Sequence, residues 1–89
     1  GRWWYQDKEI DLVGINERDK EIYFIECKWK ENQNAEGILK GLKEKAKAVR
    51  WNNKLRKENY IIFAKSFSKK ADNVMLISLK EIKRYAGQK

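Results

Sequence analysis

Eighty-nine residues carry 21 lysines and arginines against 13 aspartates and glutamates, a formal charge of +8, with no histidine and a single cysteine. That length sets a limit of one domain with a modest core, and the composition excludes a histidine-based triad, a histidine metal site, a disulfide framework and a cysteine zinc centre within the chain. The charge suits either a polyanionic partner such as nucleic acid or a lysine-rich solvated surface.

No stretch is apolar for long enough to span a membrane, no signal peptide is visible, and the lone Cys27 fits a reducing, cytoplasmic setting. Abundant Lys, Glu and Ile hint at a thermophile. The chain opens without methionine on Arg2-Trp3-Trp4 and reads as one domain, residues 1–89, cut from something longer. Residues 9–16, EIDLVGIN, and 21–29, EIYFIECKW, are rich in β-formers, with the polar turn ERDK between them, which predicts an antiparallel hairpin. ENQN at 31–34 breaks the pattern and offers N-cap groups. From Ala35 the spacing of Ile38, Leu39, Leu42, Ala46 and Val49 predicts a helix running to about Asn53 or Lys57.

YIIFA at 60–64 is a continuous apolar run, as expected of a strand covered on both faces. Residues 65–73 read as a loop with at most one helical turn, and Val74 to Ile77 as a further strand. Ser78 with Glu81 has the spacing of a capping box that opens a last helix, ending near Tyr85 ahead of Gly87. The order is ββαββα, an α/β fold with a mixed sheet flanked by helices.

Chemistry concentrates in the hairpin. Alternation along a strand puts Glu26 and Lys28 on one face, and Asp11 on the face it shares with Glu9. A turn centred between Arg18 and Asp19 sets Asn16 opposite Glu21, hence Asp11 opposite Glu26 and Glu9 opposite Lys28. Opposed residues lie roughly 5 Å apart at Cβ, so two carboxylates and an amine converge unless the register slips. Facing carboxylates call for a positive charge between them, and a hard cation such as Mg²⁺ or Mn²⁺ prefers oxygen ligands. Such an ion would activate water against a phosphodiester, with Lys28 as the assisting cation. The plainer alternative is a Glu9–Lys28 cross-strand ion pair, with Asp11 and Glu26 as solvated residues.

Asp11 followed by Glu26-Cys27-Lys28 resembles the D…(D/E)XK signature of the PD-(D/E)XK phosphodiesterase superfamily. More narrowly, WW near the start, EID at 9–11, ECKW at 26–29 and AKSF at 64–67 are similar to a C-terminal domain found on archaeal ATPases of the AAA+ type. The resemblance implies a restriction-endonuclease-like fold, Asp11 and Glu26 as metal ligands, Lys28 as the catalytic lysine, and an upstream ATPase domain in the same chain. It also implies a helix before the first strand, absent from these residues, without which one sheet face would be less covered. Function is then expected to be metal-dependent DNA cleavage or, alternatively, binding or assembly on a nuclease-like scaffold. The chain holds no GxxxxGK[ST] loop, so any ATPase activity would lie upstream.

A second stripe, Lys40, Lys43, Lys47, Arg50 and Lys54, falls at three- and four-residue steps. On a continuous helix it forms a basic ridge able to track a phosphate backbone, or an exposed lysine face paired with Glu36 and Glu44. Lys65, Lys69 and Lys70 extend the basic surface along a loop or are simply solvated. Trp29 and Cys27, opposite Lys28 with Ile25, are expected to face a core. Trp3 and Trp4 are expected to contact a neighbouring domain or, in a homodimer, a second copy.

Overall fold

Local sequence preference accounts for most of the elements, and pairing between distant segments for the rest. The computed structural model describes residues 3–5, 8–10, 12–52 and 54–87, and for 3–5 and 8–10 the backbone alone. The strands are β1 (Trp3–Tyr5), β2 (Lys8–Ile10), β3 (Leu12–Asn16), β4 (Glu21–Lys28), β5 (Gln33–Asn34), β6 (Lys57–Ala64), β7 (Phe67–Lys69) and β8 (Met75–Ile77). The helices are α1 (Ala35–Ala46) and α2 (Leu79–Ala86).

The main sheet has the order β3-β4-β6-β8. β3 runs antiparallel to β4, whereas β4, β6 and β8 are parallel. Successive parallel strands need a crossover, and α1 supplies it between β4 and β6. The fold is therefore α/β, with a mixed four-stranded sheet and its helices beside it.

At the hairpin the expected register holds: Asn16 pairs with Glu21, and the ladder continues to Leu12↔Ile25. The turn closes because the Asn16 side chain accepts from the Asp19 amide at 3.2 Å, and Lys20 takes a left-handed φ of 57°. Asp11, between the described strands β2 and β3, lies outside the described residues. β2 pairs with β1 in a separate antiparallel hairpin, and the β4 ladder is left to β3.

Alternation decides what is buried. Ile22 and Phe24 of β4 and Tyr60 and Ile62 of β6 face α1, whose Leu39, Leu42 and Ala46 cover them together with Val49. Each fully buried aliphatic side chain here contributes roughly 2–3 kcal/mol. The opposite face is only half covered. There Tyr23, Ile25, Ile61 and Phe63 are partly buried, and Cys27 and Met75 are exposed. The expectation that β6 is covered on both faces is thus corrected, as is the core placement of Cys27 and Trp29. β4 ends at Lys28, so Trp29 lies beyond the sheet, 40% exposed.

The first helix is shorter than its apolar period suggests. Val49 is buried as predicted, but the chain leaves α1 at Ala46 through tight turns, with the amides of Ala48 and Val49 bonding to Lys45 and Ala46 carbonyls. Arg56 then captures the carbonyls of Ala46, Val49 and Trp51 at 3.1, 2.7 and 3.2 Å. One buried guanidinium thus ends the helix by satisfying groups that another turn would have used. In the expected loop after β6, β7 forms a short parallel ladder with β5.

Candidate functional site at the carboxyl end of the central strand

β4 lies between β3 and β6, and its alternation carries Ile22, Phe24 and then Glu26 onto the face covered by α1. Glu26 is the buried charged residue among those described, 5% exposed. Its Oε1 accepts a hydrogen bond at 2.9 Å from Lys45 Nζ, which reaches over from the last turn of α1. Its Oε2 stands 3.8 Å from Lys28 Nζ. Lys28 is the next residue on the same face, where the strand emerges, and its side chain is half exposed. A buried carboxylate is tolerated only with such compensation. Among the described residues the result is one acid between two ammonium groups, a small centre of net positive charge.

Glu26 and Lys28 therefore come together as predicted, and Glu26 is not the solvated residue of the plainer alternative. Asp11 lies outside the described residues. Glu9 pairs with Trp4 in the β1–β2 hairpin, and the described β3–β4 ladder, Leu12 to Asn16, does not include it.

The predicted ridge of Lys40, Lys43, Lys47, Arg50 and Lys54 does not form. α1 stops at Ala46, so Arg50 and Lys54 lie beyond the helix and cannot continue its face. Lys43 Nζ sits 5.7 Å from the Tyr60 ring centroid, and Lys47, the C-cap residue, pairs with Glu44 at 3.4 Å. Lys40 is exposed on the helix.

Lys45 was not among the predicted site residues, although a signal for it exists. Ile38, Leu42, Lys45 and Val49 share a helical period, so Lys45 occupies a position of the apolar stripe. A lysine there implies a buried partner. Arg56 had no such local signal. Besides capping α1, its Nη2 lies 2.6 Å from Glu58 Oε2, and its guanidinium carbon is 5.4 Å from the Phe24 ring centroid. Burial pushes Glu58 up, but hydrogen bonds from Tyr60 and Arg56 outweigh it and hold the carboxyl below its usual range. Burial, then the bond to Glu58, pushes the Tyr60 phenol well above its usual value. This cluster holds the chain between α1 and β6 in place and is structural.

For a divalent cation, the described residues do not supply a donor set. No group of three or more His, Cys, Asp or Glu side chains is found among them. One oxygen of Glu26 is already taken by Lys45, and two ammonium groups nearby oppose a further positive charge.

Residues 1–38 match a family model, DUF234, described as archaea bacterial proteins of unknown function. The chain is also similar to the uncharacterized protein MJECL04 of Methanocaldococcus jannaschii, 41% identical over 51 residues. That stretch is 55% of this chain and 12% of the relative, so the chain spans a small part of that protein. No solved structure matches. Among the described residues no helix is long and apolar enough to cross a membrane.

Proposed function

We propose that the chain is a nuclease-like module that binds nucleic acid through the positive centre at the carboxyl end of β4. The observation that carries this reading is the double engagement of Glu26 by Lys45 and Lys28. With its acid internally compensated, the centre attracts an anion such as a phosphodiester more readily than it attracts a bare cation. The formal charge of +8 acts in the same direction over longer range.

A second reading, metal-dependent DNA endonuclease activity, is favoured by one feature. Glu26 and Lys28 share a face at the strand end, and the β3–β4 register is the predicted one as far as Leu12↔Ile25. It assigns Asp11 and Glu26 as ligands of Mg²⁺ or Mn²⁺, and its likeness to ATPase-linked domains assigns an upstream ATPase and a cytoplasmic setting. Calorimetric titration of both ions into the protein and its Asp11→Ala and Glu26→Ala variants separates the two. Saturable binding lost in both variants, with cleavage of DNA by the intact protein, selects the enzyme. Salt-dependent DNA binding without ion binding or cleavage selects the binding module.

A further inference from the structure

The carboxyl ends of β4, β6 and β8 lie side by side, and backbone bonds knit together the segments that leave them. The Lys65 amide donates to the Lys30 carbonyl at 3.0 Å, and the Leu79 amide donates to the Lys65 carbonyl at 3.2 Å. The Asn32 amide donates to the Ser66 hydroxyl at 2.7 Å. These contacts draw the segment after β6 against the start of α2 and leave an open groove of about 460 Å³ between them.

Lys65, Lys70, Lys80 and Arg84 line that groove, with Glu81 as its acid. Glu81 offsets one of these charges, and the lining residues keep an excess of cations. Its carboxylate accepts from the Ser78 hydroxyl, which holds it below the usual range, and further backbone bonds at Ser78 and Glu81 and the charge of Arg84 act in the same sense. The same bonds occupy amides at the start of α2, so the groove does not cradle a lone phosphate there. What it offers is four exposed cations on two separate elements across a concave surface. The groove lies at the same end of the sheet as the Glu26 centre, since Lys65 directly follows Ala64, the parallel partner of Lys28.

We infer that this groove is the track for a nucleic-acid backbone, its cations meeting the phosphates, and that it takes the place of the α1 ridge. The inference rests on the nucleic-acid reading above and locates the contact surface for it. Cations spread along a concavity suit a linear polyanion. A flat anionic bilayer fits the concavity poorly. The exposed apolar residues of α2, Ile82 and Tyr85, border a different pocket, shared with Ile77.

The test is DNA affinity against salt for the intact protein, a Lys70→Gln/Arg84→Gln variant and a Lys40→Gln/Arg50→Gln variant matched in net charge, with circular dichroism to confirm folding. Loss of two phosphate contacts is expected to weaken binding roughly a hundredfold at 0.1 M salt and to lower the salt slope by about 2. The Lys40/Arg50 variant is expected to stay within about threefold, through the general field alone. Equal losses in both variants, or none in the Lys70/Arg84 variant, overturn the groove while the nucleic-acid reading stands. Absence of DNA binding by the intact protein overturns both, as does binding confined to phosphatidylserine vesicles or to an acidic peptide.

Discussion

Glu26 shows why a buried charge is informative at the scale of a residue. Desolvating a carboxylate costs several kcal/mol, and Lys45 is the group that offsets it most directly. Lys45→Met is therefore expected to destabilise the fold by about 2–3 kcal/mol, below the range for a fully buried pair because Lys45 is partly exposed. The double variant Lys45→Met/Glu26→Gln should recover much of the loss in urea unfolding, since the buried charge left with Lys28 alone is gone. A loss in the double variant equal to the sum of both single losses would show that no coupling exists.

At Glu58 the same scale yields a pH dependence. Its carboxyl is held below its ordinary value of 4.5, so its stabilisation is present above that pH and fades as the pH falls below it. Tyr60, raised from 10.0, contributes below that pH and fades as the pH rises past it. The stability gap between the parent protein and Glu58→Gln should accordingly be widest near neutrality and narrow below about 4.5, as read from unfolding at a series of pH values.

Among the elements, α1 carries the clearest expectation. Gly41 lies on its exposed side, and a methyl group there would meet nothing within 4 Å. Gly41→Ala should thus stabilise by about 0.8–1 kcal/mol, a rise of several degrees in Tm for a domain of this size. The elements also show what could be read from sequence. The β3–β4 hairpin was legible because alternation and turn residues are local, and Asn16 and Asp19 close the turn themselves. The end of α1 was not, because Val49 keeps the apolar period after the backbone has left the helix, under the control of Arg56 further along the chain. β7 was hidden for a similar reason. Its order comes from β5, far back in the sequence, and not from any pattern of its own.

Across the whole molecule, one sheet face is closed by α1 and the other is half open. The order of predicted elements already pointed to an α/β chain and the composition to excess positive charge, but neither to where that charge collects. The groove is assembled by bonds between Lys30, Lys65 and Leu79, residues that no local spacing relates. The candidate site was legible as Glu26 and Lys28, two positions apart on a strand, and illegible in Lys45, which the tertiary fold brings over them.

The parallel pairing of β4 with β6 bears also on how the chain reaches this state. Every rung of that ladder, from Glu21↔Lys57 to Lys28↔Ala64, joins residues separated by β5, α1 and the turns after it. Closing that span costs chain entropy before any rung repays it. Docking β6 beside β4, with α1 folded across the gap, is then the step expected to limit assembly. Substitutions at Phe24 or Ile62 are expected to slow refolding, whereas Val13, on edge strand β3, should mainly change the rate of unfolding. On this topology the two strands that carry Ile22, Phe24, Tyr60 and Ile62 into the core are also the pair expected to set the pace of its formation.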